Sequence, residues 1–303
     1  MARNCCKYFT VSLVPVASVV LAVLFGLAIA VLPVLYVQLA KQYRYGVIVD
    51  AGSSHTDMFF YRWEVPRYRD TAKHFQQEHH CYSDKSINSY ADKNTSEAGS
   101  VLESCITKSK NRGFVTSGQR SNTQLFLGAT AGMRLVYCKN VTLGEEIMSS
   151  VNSTLAGSGY HLVSGRVISG QEEAVAGWIT GNYLQQHLKH SGSSSLMGSL
   201  DLGGASAEIA FLDSTSDPRS HTPYHTNVSL YDRSYTLYAR SYLCYGLNEA
   251  YRRFLAHLIN VSSSHQRKFN DRVGTLDKTG ITWTNLLVRK EFQFSMLCSQ
   301  ELS

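Results

Sequence analysis

Twice in 303 residues the chain runs an apolar strand into an aspartate, turns on small residues and leaves on a second apolar strand. The first copy is Val47-Ile48-Val49-Asp50-Ala51-Gly52-Ser53-Ser54, followed by Met58 to Trp63. The second is Gly198-Ser199-Leu200-Asp201-Leu202-Gly203-Gly204-Ala205-Ser206, followed by Glu208 to Leu212. One such Asp-x-Gly turn is an ordinary hairpin signal. A duplicated one predicts two related α/β lobes that face each other across a cleft.

The chemistry of the turns suits a polyphosphate. Small residues let backbone N–H groups approach an anion closely, and serine hydroxyls add donors. An aspartate at the strand end offers the oxygen ligands that hard divalent cations choose. Two further segments fit beside them. Gly170-Gln171-Glu172-Glu173 opens a helix with two carboxylates, which either cap it or take a proton from an attacking water. Leu127-Gly128-Ala129-Thr130-Ala131-Gly132-Met133-Arg134 packs small residues next to a threonine and an arginine able to organise phosphates. Other chemistries find no support. The chain lacks a Gly-x-x-x-x-Gly-Lys-Ser/Thr loop, a Gly-x-Ser-x-Gly elbow and a His-Glu-x-x-His helix. His79-His80 beside Cys81 reads as a surface loop. The net charge of +6 is not gathered into a basic block, so nucleic acid is excluded as a partner.

Local patterns predict strands at Tyr45–Asp50, Leu125–Leu127 and Val167-Ile168, and helices over Glu145–Leu155 and Glu172–His187. Arg67 to Ser100 is polar and reads as loop, and Ser191 to Ser195 as a Gly/Ser linker. No charged residue lies between Lys7 and Lys41. That run exceeds the roughly 20 apolar residues that span a bilayer and is too long for a cleaved signal peptide. It predicts a retained signal anchor over 9–40 behind a cytoplasmic tail of 1–8, then a first lobe over 41–169 and a second over 170–303. Sequons at Asn94, Asn140, Asn152, Asn227 and Asn260 favour an outward-facing body, hence type II topology. Cys5 and Cys6 beside the anchor suit palmitoylation. The other five cysteines, Cys81, Cys105, Cys138, Cys244 and Cys298, cannot all pair within one chain.

The four motifs, in this order, resemble the first four conserved regions of the ecto-nucleoside triphosphate diphosphohydrolases, the ecto-apyrases. The likeness runs from about residue 45 to 257 and includes Ser241-Tyr242-Leu243-Cys244-Tyr245-Gly246. It implies an actin/hexokinase-like pair of ribonuclease-H-like lobes, and Ca²⁺- or Mg²⁺-dependent removal of terminal phosphates from nucleoside tri- and diphosphates. It implies a plasma-membrane or secretory-pathway location, and it allows a homo-oligomer. By position, Glu173 matches the catalytic base, and Asp50 and Asp201 the acids that hold the metal through its waters. Ser53, Ser54 and His55 match the first phosphate loop, and Gly203, Gly204, Ala205, Ser206, Ala207 and Glu208 the second. Thr130 and Arg134 match the second motif, and Cys81 and Cys105 the first disulfide.

Two departures stand out. The fourth motif usually ends Ser-Thr-Gln, with the glutamine positioning the attacking water together with the serine; here it is Ser206-Ala207-Glu208. An ionised glutamate accepts hydrogen bonds but donates none. From about Asn260 the sequence stops tracking the family, so the resemblance implies that the fifth motif, most of the second lobe, the returning helix of the first lobe and a second membrane span are missing. The expectation is a shortened form with an incomplete second lobe that hydrolyses poorly. Two alternatives follow: a catalytically weak membrane glycoprotein that binds nucleotide or a partner without turnover, and a sugar- or acetate-kinase-like phosphotransferase. The Gln-Glu-Glu segment and the anchor disfavour the second.

Overall fold

Strand β1 (Tyr43–Ala51) alternates buried Val47, Val49 and Ala51 with the more accessible Ile48 and Asp50, so one face enters a core and the other does not. The chain is seen in a computed structural model that describes residues 13–39, 43–65, 75–189, 196–213 and 223–259. β1 turns through Gly52–His55 into antiparallel β2 (Thr56–Glu64), which pairs with β3 (Phe75–Ser83). On its other side β1 lies parallel to β4 (Gln124–Ala129), and β4 parallel to β5 (His161–Val167). The order is β3-β2-β1-β4-β5.

Parallel neighbours need crossover connections, and helices supply them. Helix α2 (Ser100–Arg112) and the short α3 (Ser117–Arg120) lead into β4, while α4 (Ala131–Lys139) and α5 (Val141–Ala156) join β4 to β5. Leu102 and Ile106 of α2 and Ile147, Val151 and Leu155 of α5 close over Val47, Val49, Met58, Phe60, Leu125 and Leu127. The disulfide between Cys81 and Cys105 ties β3 to α2.

The second sheet is antiparallel in the order β6-β7-β9-β8, from β6 (Ser199–Leu202), β7 (Ser206–Leu212), β8 (His225–Leu230) and β9 (Arg233–Leu243). Helix α6 (Gly170–Leu184) leaves the first sheet after β5 and lays Ala174 and Trp178 on Ala210, Leu237 and Ala239. A further helix, α7, occupies 247–259. Ala131 and Leu135 of α4 pack on Ala205, Leu243 and Cys244 and so join the lobes.

The stretch expected to be loop contains β3. Of its nine residues only Cys81 is buried, so no alternation marked it as a strand. His79 and His80 therefore sit on a strand, not on a surface loop. At the N-terminus the chain forms helix α1 (Leu13–Leu39). Among the described residues no helix is long and apolar enough to cross a membrane. The tail with Cys5 and Cys6, the Ser191–Ser195 linker, Asn260 and Cys298 lie outside the described residues.

Candidate functional site

Asp50 ends β1 beside the parallel end of β4, in register with Gly128. Carboxyl ends of parallel strands are where such sheets hold ligands. The following turn meets its counterpart from the other lobe. A Cβ on Gly204 would stand 2.5 Å from Ser53 Oγ and 2.7 Å from Ser54 Oγ, so a side chain there would push both hydroxyls aside. Asn248 donates to Ser54 Oγ at 3.0 Å, and its own N–H bonds to the Gly204 carbonyl. Asn88 donates to the Ser53 carbonyl at 3.3 Å. The two aspartate turns thus share one crevice. Asp50 and Asp201 lie close enough that Asp201 helps to raise the Asp50 pKa, after desolvation and Asp57.

Each lobe also pairs its aspartate with a second carboxylate across the hairpin. Asp50 stands opposite Asp57, and Asp201 opposite Glu208. Like charges placed so are unfavourable unless offset. Asp57 is offset by His80 Nε2 at 2.5 Å and His55 Nε2 at 3.1 Å. The His55 imidazole thus reaches a carboxylate of its own hairpin. Thr130 caps α4 and turns its hydroxyl to the Ala51 carbonyl at 3.5 Å. Ala207 alternates with buried Ser206 and Glu208 along β7.

Arg134, on the first turns of α4, gathers the acids. Its Nη1 donates to Glu173 Oε2 at 2.8 Å and to the Ile168 carbonyl at 3.1 Å. Its Nη2 reaches Ser206 Oγ at 3.3 Å, Ser241 Oγ at 3.5 Å and Glu208 Oε1 at 3.5 Å. Glu208 Oε1 also accepts from the Ser206 hydroxyl and, at 2.7 Å, from that of Ser241.

The two neighbouring glutamates of α6 divide the two readings of their motif. Successive helical residues point about 100° apart. Glu172 turns back on Ser169 in a reciprocal capping box and pairs with Arg166, whose side-chain hydrogen bond is the main cause that holds its pKa at about 2. Glu173 turns into the crevice. Burial pushes its pKa up to about 7, against Arg134, with Glu208 and Asp50 adding to the rise.

Among the described residues no three His, Cys, Asp or Glu side chains converge to hold a metal by themselves. Asp57, His80, Asn88, Ser241 and Asn248 belong to this crevice although the sequence assigned none of them to it, Ser241 having been marked only as part of the family-like segment 241–246. Asp57 had a usable signal: it follows Asp50 by seven positions, as Glu208 follows Asp201. Of the sequon residues, Asn94, Asn140 and Asn227 are exposed. Asn152 instead donates its amide nitrogen to the Gly165 carbonyl at 3.0 Å.

A profile of the GDA1/CD39 (nucleoside phosphatase) family matches residues 36–286. The match passes the point near Asn260 at which the motif-based likeness ended. Human ectonucleoside triphosphate diphosphohydrolase 2 is 34% identical over 262 residues, covering 84% of this chain and 52% of that protein. Mouse ectonucleoside triphosphate diphosphohydrolase 3 is 36% identical over 231 residues, covering 73% of this chain and 43% of that protein. A nucleoside triphosphate hydrolase from Neospora caninum shares the fold, with a TM-score of 0.52 at 16% identity over 74% of this chain and 49% of that one. The chain spans about half the length of the curated relatives it matches.

Proposed function

Because the chain belongs to the GDA1/CD39 nucleoside phosphatase family, we propose that its crevice hydrolyses the terminal phosphate of nucleoside tri- and diphosphates. The observation that carries this reading is Glu173: a carboxylate at the crevice of two phosphate-type turns, with a pKa of about 7, suited to act as a base near neutrality. Glu173 takes a proton from water as that oxygen bonds to the terminal phosphorus. The bond from phosphorus to the bridging oxygen breaks, and the shortened nucleotide leaves with the bridging electrons. Ser53, Ser54 and the Gly203–Ser206 backbone cradle the phosphates, and Arg134 keeps Glu173 oriented.

The crowding of Asp50 by Asp57 and Asp201 fits a divalent cation, Ca²⁺ or Mg²⁺, held by Asp50 and Asp201 through water. Such an ion supplies charge neutralisation to the phosphates. The run without a charged residue between Lys7 and Lys41 supports an N-terminal anchor, and the exposed sequon residues Asn94, Asn140 and Asn227 support a body outside the cell, hence type II orientation.

Phosphate release from ATP and ADP by the full chain in detergent, with and without Ca²⁺, tests the reading. Glu173→Ala should cost about a hundredfold or more in turnover while nucleotide binding persists. Turnover that survives this substitution refutes the assignment. The second reading, a weak hydrolase that binds without turnover, draws on Glu208: it adds a carboxylate beside the base and the phosphates. Nucleotide binding without phosphate release by the unaltered chain would favour it.

A further inference from the structure

We propose that Ser241 on β9 is a positioning residue of this same site, holding the buried Glu208 carboxylate so that Arg134 can serve Glu208 and Glu173 together. The inference rests on the hydrolase reading above. Ser241 lies directly opposite Glu208, which lies directly opposite Asp201, so the three form one row across β9, β7 and β6.

Glu208 is 2% exposed, and only one of its oxygens is served. Oε1 takes the Ser206 and Ser241 hydroxyls and faces Arg134, while Oε2 meets no hydrogen-bond donor among the described residues. For a buried carboxylate with one idle oxygen, losing a donor is costly unless another takes its place. The nearest replacement is Arg134 Nη2, now 3.5 Å away. Drawing it in would pull the guanidinium from Glu173, which its Nη1 holds at 2.8 Å. Gly170 approaches Ser241 so closely that a Cβ there would overlap the Ser241 Cβ. That contact accounts for the glycine at the head of α6.

The charged groups acting on Glu173 are Arg134 from α4, Glu208 from β7 and Asp50 from β1. Only the first is a cation, so its withdrawal leaves the base holding its proton to higher pH.

The test uses the full chain with Ser241→Ala and Ser241→Thr. For the alanine variant kcat should fall about tenfold with KM within about twofold, and threonine should restore most of it. Independently of turnover, infrared titration of the Glu173 carboxyl, isolated by difference against Glu173→Gln, should move to higher pH in Ser241→Ala. An unmoved titration, or alanine and threonine variants equally impaired, overturns the proposal. If the unaltered chain releases no phosphate, the hydrolase reading fails and the infrared titration alone decides the role of Ser241. Should the alanine variant not fold, Ser241→Cys, a weaker donor of similar size, takes its place with the same expected shift.

Discussion

Glu173 keeps its proton up to about pH 7 because burial outweighs the attraction of Arg134. The sign has two consequences. The native state holds a proton that the unfolded chain releases from about pH 4.5, so stability falls as pH rises from there to about 7. The base form, and with it activity, grows in over the upper part of that interval. Glu208 adds to the elevation, so Glu208→Gln should move the acid limb of kcat/KM to lower pH and raise turnover at pH 6. Removing the negative charge and releasing Arg134 toward Glu173 act in the same direction. A pH–rate series on both proteins checks this, and an acid limb that stays put would show that Glu208 does not tune the base.

Helix α6 sets the aim of Glu173, and its first turn sets the aim of α6. Ser169 accepts from the Glu172 N–H at 3.1 Å, and the Glu172 carboxylate accepts from the Ser169 N–H at 2.8 Å. Removing a cap of this type costs about 1 kcal/mol. Ser169→Ala should therefore lower the thermal midpoint by a few degrees, as read by circular dichroism. The Glu172 pKa is depressed from 4.5 to about 2, so its share of stability is complete above about pH 4.5 and lost as pH falls through about 2. Its Arg166 partner is half-exposed, at 54%, so salt screens that part while the cap remains. A Ser169→Ala protein as stable as the parent at pH 7 would leave the first turn held by packing alone.

Across the whole molecule the two lobes are unequal. β1 is flanked by β2 and β4, whereas β6, its counterpart, pairs only with β7 among the described residues. Leu200 and Leu202 on β6 are 84% and 63% exposed. Large apolar side chains in that state are surface that a neighbouring element could cover. The proposed outward orientation of the body is tested by its sugars. After expression through a secretory pathway, peptide mass spectrometry should find glycan on the exposed Asn94, Asn140 and Asn227 and none on Asn152, whose side chain is turned inward onto Gly165. Glycan on Asn152 would mean that the α5–β5 contact opens before folding is complete, and an unmodified chain would argue against the topology.

Local pattern was enough for the paired turns, the strands that carry Asp50 and Asp201, the start of α6 and the family. Each depends on neighbours in sequence: apolar periodicity, small residues at a bend, two carboxylates after a glycine. The reading from Gly170-Gln171-Glu172-Glu173 left open which glutamate caps and which faces the crevice; the Ser169-x-x-Glu172 spacing marks the cap, but only packing turns Glu173 into the crevice. Nor could local pattern show Ser241 beside Arg134, 107 positions away, or His80 turned onto Asp57. Those contacts arise where two sheets and a helix end meet, and a long-range meeting leaves no periodic trace in the residues that make it.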